Sequence, residues 1–305
     1  MRPSRETLLA ALAVTVAGCV WGALWLPLRH LESTGLMGPW ATIGAELAAT
    51  LFMLPLALWR WRQWKAGWPL LLMGLFGGTA FVLYNNAVLI TDVIHVMLLF
   101  YLTPIWSTLL ARLFLGQPIT VMRIVTILLG FSGLAIVLGA EGWLPIPTRL
   151  GDWMALCSGI GWAFSTVVIR KRQNIAAYEA TLSFFAVGVA ASILMPLLVM
   201  PSTLFENLPT LTDLPRFLPW LILLGPLLWV PAQILLMWGA KRLDPGRVGI
   251  LLMGEVLVGA ATAAILTDEP FGWREMLGGV LIVGAGLMDT LMPGPEGKVI
   301  QPASA

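Results

Sequence analysis

Ten stretches of this sequence run for about 20 residues each with apolar side chains and few charges, the length a helix needs to cross a bilayer core. They are Thr7–Leu28, Gly38–Trp59, Trp68–Ile90, Ile94–Leu115, Thr120–Ala140, Leu150–Ile169, Tyr178–Met200, Phe217–Gly239, Val248–Thr267 and Trp273–Leu291. The links between them are short, the longest being Pro201–Arg216, so the chain leaves no room for a soluble domain. Lipid supplies no partners for open backbone, so spans of this composition must be helices. Of the 305 residues, 58% are hydrophobic and 11% charged, against about 45–50% and about 25% in ordinary globular chains. A soluble fold could not cover that much apolar surface with so few charges, which excludes a soluble enzyme, a disordered protein and a disulfide-stapled secreted domain. The net charge of +2 gives no footprint for nucleic acid. Cys19 and Cys157 both fall inside apolar runs and read as small buried residues rather than a disulfide or a metal site.

Charge sets the expected orientation. With the N-terminus in the cytoplasm, 14 of the 18 Lys and Arg residues fall on inner segments, and only Arg29, Arg149, Arg216 and Arg274 fall outside. Both termini are therefore expected in the cytoplasm. Trp59, Trp61, Trp64 and Trp68 cluster at one inner boundary, and Trp143 and Trp273 lie near outer ones, as rings at headgroup depth do. Val16-Ala17-Gly18-Cys19 has the look of a lipoprotein cleavage region, but the apolar run continues to Leu28, so the segment is read as a span.

The chain also repeats itself. Gly18, Trp21 and Arg29 recur as Gly159, Trp162 and Arg170, each 141 residues on. Gly116-Gln117-Pro118, between helices 4 and 5, recurs as Asp268-Glu269-Pro270 between helices 9 and 10, 152 residues on. In that second register Thr126 and Ser132 match Gly278 and Gly284, small residues that let helix backbones come close. The expected architecture is an all-α membrane protein of ten transmembrane helices in two five-helix halves, 1–145 and 146–305. Five is odd, so the second half runs the opposite way up. Inverted repeats around a midplane site are a build of secondary transporters, and also of some channels.

Cys19-Val20-Trp21-Gly22-Ala23-Leu24-Trp25, Gly151-Asp152-Trp153-Met154-Ala155-Leu156, Trp162-Ala163, and Thr103-Pro104 with Gln117 resemble the signatures of EamA-type transporters in the drug/metabolite transporter superfamily. Tyr101-Leu102-x-Pro104 with Gly116-Gln117 is similar to the YddG-like branch of aromatic amino-acid exporters. The chain departs from the family at Glu46, where a basic residue is frequent, at Gln117, where Glu is usual, and at Val256, which replaces the second proline. The resemblance implies a bacterial inner-membrane exporter of small amphipathic metabolites, aromatic amino acids favoured, working by alternating access. Helices 1, 3, 4, 6, 8 and 9 would line its cavity, and it would act as a monomer or homodimer. Drugs, purines or nucleotide derivatives are the alternative cargo on the same fold. A channel is the alternative of another class.

Charged groups in hydrocarbon are costly, so Glu46 and Glu255 stand out. Glu46 lies about 12 Å from the outer start of its run and Glu255 about 10 Å from the inner start of its own, counting 1.5 Å per residue. Each could attract a substrate ammonium or carry a coupling proton, or hydrogen-bond to a neighbouring helix. Asn85, Tyr84, Tyr101, Gln233 and Trp229 are polar or aromatic candidates for substrate contact or helix packing. Trp21 and Trp162 are related by the repeat and sit away from both interfaces, placed to stack on an aromatic substrate or to pack. His95 lies near the outer end of helix 4 and is a candidate proton relay or a solvated side chain. Pro104, Pro226 and Pro231 are expected to kink helices 4 and 8 and are hinge candidates. No Walker A loop is present, since the only Gly-Lys pair, Gly297-Lys298, precedes Val299, and this argues against ATP binding. With only His30 and His95 there is no His-Glu-x-x-His metal site, and Gly-x-Ser-x-Gly is absent, so neither a cofactor nor an enzymatic activity is expected.

Overall fold

The computed structural model describes residues 4–37, 39–60, 62, 67–91, 96, 99–137, 147–172, 174–199, 205, 208–210, 212–266 and 272–291. Every regular element among them is helical. In chain order these are α1 (Arg5–Ala23), α2 (Trp25–Ser33), α3 (Pro39–Arg60), α4 (Trp68–Ile90), α5 (Thr103–Leu115), α6 (Val121–Val137), α7 (Leu150–Lys171), α8 (Ala177–Val199), α9 (Leu214–Ile222), a π-helical turn (Leu223–Trp229), α10 (Val230–Ala240), α11 (Pro245–Leu252), α12 (Gly254–Leu266) and α13 (Trp273–Leu291). They make ten passes, with α1–α2 forming the first, α9 through α10 the eighth and α11–α12 the ninth. Six stretches are long and apolar enough to cross a membrane, those spanning 5–28, 39–60, 68–87, 150–171, 177–198 and 214–240. The protein is an all-α, multi-pass membrane protein.

Local chemistry explains the helix ends. Ser4 Oγ accepts the Thr7 amide at 3.1 Å, with Glu6 in the first turn, where an acid suits the positive end of the helix dipole. Asp244 caps α11 by accepting the Arg247 amide at 3.1 Å, and Pro245 follows it in the first turn. Gly116 closes α5 in the left-handed conformation at φ 66°.

Contacts between passes come in matched pairs. Pass 3 packs on 6 as 8 packs on 1, pass 4 on 6 as 9 on 1, and pass 3 on 7 as 8 on 2. Passes 2 and 7, 4 and 9, and 5 and 10 each pair an element with its own counterpart. This is the contact pattern of a pseudo-two-fold. Passes 5 and 10 touch closely, since a Cβ on Gly133 would lie 2.6 Å from the Gly278 carbonyl oxygen; of the expected small residues Thr126 is buried, but Ser132 is exposed, and Gly133 beside it makes the contact.

Four runs are not single straight helices, of which only the fourth and eighth are expected to be kinked. The first breaks at Leu24, because Pro27 has no N–H to give the Ala23 carbonyl. The fourth breaks at Tyr101–Leu102, so Pro104 falls in the first turn of α5, where its missing N–H costs nothing. Pro104 starts a helix instead of kinking one. In the eighth, Pro226 lies inside the π-helical turn and Pro231 follows at the start of α10. The ninth breaks at Met253, before Gly254, without any proline. Cys19 is half-buried as a free thiol, but Cys157 is exposed on the outside of α7, contrary to its expected burial. The helical period turns this position away from the core, where hydrocarbon accepts it as readily as a core would.

Candidate functional site

The two helix breaks of passes 4 and 9 are related by the 152-residue register, which carries Phe100, Tyr101, Leu102 and Thr103 onto Leu252, Met253, Gly254 and Glu255. Each break leans on the first pass of the opposite half. A Cβ on Gly159 would lie 2.8 Å from the Phe100 carbonyl oxygen, and one on Gly18 would lie 3.5 Å from the Leu252 side chain. One turn further, a Cβ on Gly22 would lie 2.3 Å from the Glu255 carbonyl oxygen. Gly254 has open space where a Cβ would point.

The side chains at these breaks differ. Thr103 donates to Phe100 O at 2.5 Å, satisfying a carbonyl freed by the break. Glu255, its counterpart, is half-buried and accepts a hydrogen bond from the Tyr101 hydroxyl, with Tyr84 close enough to interact electrostatically with both. Tyr84 and Phe100 rings lie 4.8 Å apart, and Phe100 and Tyr101 rings 5.4 Å apart. The expected residues Glu255, Tyr101 and Tyr84 therefore form one group, drawn from α4, α12 and the break before α5.

One turn before Tyr84 on α4, Phe81 opens an aromatic wall. Its ring is 5.2 Å from Trp21 and 5.3 Å from Trp229, and Trp21 stacks on Trp229 at 6.1 Å. The wall continues from Trp229 to Phe185 at 6.2 Å, and from Phe184 to Trp162 at 6.0 Å. The indole N–H groups of Trp21, Trp162 and Trp229 are buried without a hydrogen-bond partner, as are both polar ends of the Gln233 side chain, one turn beyond Trp229. Such orphaned polar groups are uncommon in a settled core. Asn85 is half-buried beside Tyr84, whereas Asn86 is buried and donates to Val82 O at 2.9 Å.

Glu46 is not part of this group. It is fully buried where α3 meets α8, its carboxylate against Gly188. His95, Trp61, Trp64, Trp143 and Asp268-Glu269-Pro270 lie outside the described residues. The sequence places Phe81 on one helix face with Asn85, but sequence reading missed Phe100, Phe184 and Phe185, because a phenylalanine in an apolar run carries no signal of its own. It also missed the polar lacing at the basic end of the molecule. There Arg123 pairs with Asp244 at 2.5 Å, Arg242 with Glu6 at 2.8 Å, Arg170 donates to the Lys241 carbonyl and Lys241 Nζ to Ile175 O at 2.5 Å. Burial, with Arg242 alongside, lowers the Lys241 ammonium pKa below its ordinary value.

Helix breaks from both halves that meet beside aromatic and carboxylate side chains are the construction of a carrier's central site. The EamA-like transporter family matches residues 8–139 and 149–288, five passes in each segment, and the chain belongs to that family. It is thereby a transporter of the drug/metabolite superfamily type. A solved crystal structure, described only as that of a protein, matches at 21% identity with a TM-score of 0.71, over 93% of this chain and 98% of that one. The fold is shared with it. No curated protein sequence matches the chain.

Proposed function

We propose that this chain is a secondary carrier that exports small amphipathic metabolites, amino acids with aromatic ones favoured, across a bacterial inner membrane. Both termini are cytoplasmic, and the halves 1–145 and 146–305 rearrange around the site by alternating access. The observation that carries the reading is the junction of Glu255–Tyr101–Tyr84 with the Trp21–Phe81–Trp229 wall. A carboxylate backed by two phenols suits an ammonium group, and the ring wall suits an apolar or aromatic body and adds cation–π attraction. Because the breaks belong to opposite halves, motion of one half against the other re-forms the site on the other side.

A second cargo, an organic cation of drug type, is favoured by the acidic character of the site. Glu255 lies within it, while the buried Arg247 sits at the first turn of α11. The same feature disfavours phosphate-bearing cargo, which needs cations to hold it.

The test is counterflow in proteoliposomes with labelled phenylalanine and tryptophan, a quaternary ammonium drug and a nucleoside. Saturable exchange of the aromatic amino acids is expected. Exchange of the drug alone would move the cargo to organic cations. Non-saturating flux without counterflow would make the protein a channel.

A further inference from the structure

The Glu46 carboxyl group has no role in the site above, yet it is the most completely sealed acid in the described chain, with no solvent exposure. Its nearest polar neighbour is the hydroxyl of Ser192 on the facing helix, which also gives its proton to Val189 O. One turn along α3, on the same face, Thr50 buries a hydroxyl without a partner. A Cβ on Gly188 would lie 2.7 Å from Glu46 Oε1, so the acid occupies a cradle that only glycine leaves open.

Among the described residues no counter-charge faces this acid. α8 presents Gly188 and Ser192, α4 presents Gly78 against Gly188, and the π-helical turn presents Gly225, packed on the Ala45 carbonyl and the Ala49 amide. Glu179 lies nine residues before Gly188, about 13 Å along the helix, where it accepts from the Ala176 amide and the Tyr178 hydroxyl. Arg216 is as far before Gly225, and Arg60 is about 21 Å along α3. α4 carries no acid, base or histidine. On α2, His30 lies against the Trp220 ring at 4.0 Å. A bare carboxylate in such a place costs more than any contact here returns, so the sealed state holds the neutral acid.

The position matters as much as the burial. α3 and α8 are the second passes of the two matched segments, which begin 141 residues apart. In that register the counterpart of Glu46 is Val187, next to Gly188. The acid therefore lies where one half of the protein meets its own counterpart, the seam that relative motion of the halves must open or shut.

We infer that Glu46 is the carrier's coupling site for a proton. When the seam opens to water on one side, the carboxylate takes one proton from that water. When it opens on the other side, the carboxyl group returns the proton to water there, and one substrate molecule crosses the opposite way. This rests on the carrier reading above, with Glu255 serving the substrate and Glu46 the proton.

The experiment uses the full-length protein in proteoliposomes with labelled phenylalanine. Wild type should show counterflow without a gradient and concentrative uptake under a pH gradient. Glu46→Gln, which matches the neutral acid in shape, should lose gradient-driven accumulation at least tenfold while counterflow stays within about threefold. In weakly buffered detergent, phenylalanine should release protons from wild type and not from Glu46→Gln. Accumulation by Glu46→Gln equal to wild type would overturn the inference, and so would wild-type counterflow that no pH gradient can drive. If Glu46→Gln does not reach the membrane, Gly188→Ala decides, since its added methyl must shift the pH midpoint of uptake, and an unmoved midpoint overturns the inference. Absence of wild-type counterflow with phenylalanine and with the drug and nucleoside probes is failure of the carrier reading itself. It is visible before any gradient is applied, and takes this inference with it.

Discussion

At the break in the fourth pass, Thr103 turns its hydroxyl back onto Phe100 O and closes the gap with its own backbone. At the same register in the ninth pass, Glu255 reaches across to Tyr101 instead. Both breaks rest on a first pass of the opposite half, through Gly159 in one case and Gly18 and Gly22 in the other. The backbone arrangement is thus symmetric while the chemistry is not. One break serves structure, and the other presents an acid to the interior. Proline does not explain the break in the ninth pass, since Val256 stands where Pro104 stands in the fourth. Close packing of α1 against Glu255's backbone holds it instead.

The largest effect should come from filling that close approach. Gly22→Ala puts a methyl 2.3 Å from the Glu255 carbonyl oxygen, and should cost about 3 kcal/mol or more, read as a lower melting temperature and less monodisperse protein. Gly159→Ala, at 2.8 Å from Phe100 O, should cost less, and Gly18→Ala, at 3.5 Å, should be close to silent. Equal effects at all three would break the claim that the ninth-pass break is held by packing. Next, Glu255→Thr makes the ninth break resemble the fourth. It should lower phenylalanine counterflow at least tenfold with the melting temperature nearly unchanged, whereas Thr103→Ser should leave counterflow intact. Tyr101→Phe removes one donor to Glu255 and should raise KM about tenfold, as losing a hydrogen bond of about 1.5 kcal/mol to a charged group would. The smallest effect is expected far from both breaks. Arg242→Ala removes an exposed ion pair with Glu6 and should change stability by less than about 1 kcal/mol.

The architecture was legible because lipid enforces it. Runs such as Trp68–Ile90 and Trp273–Leu291 match α4 and α13 end to end, since a span has nowhere to end but the interface. The repeat was legible through Gly18, Trp21 and Arg29, whose spacing recurs in Gly159, Trp162 and Arg170. The breaks at Leu24 and Met253 were not, because hydropathy counts apolar residues and is blind to where their backbone bonds go. Of the candidate site, Glu255, Tyr101, Tyr84, Trp21 and Trp229 were named from chemistry alone. That Glu46 stands apart from them could only emerge from packing, as could the phenylalanines that complete the wall. Pro104 was noticed as a helix disruptor, but whether a proline kinks a helix or begins one depends on the turn before it.

The matched contacts have a consequence for how the chain is made. Pass 3 packs chiefly on passes 6 and 7, and pass 4 on passes 6 and 9, so the first half finds most of its partners in the second. Its helices enter the bilayer early in synthesis but must wait, each with lipid on all sides, until the later ones arrive. A chain stopped after pass 5 would hold spans in the membrane without an interior. In that state Glu46 would lie in the membrane before Gly188 had been made to cover it.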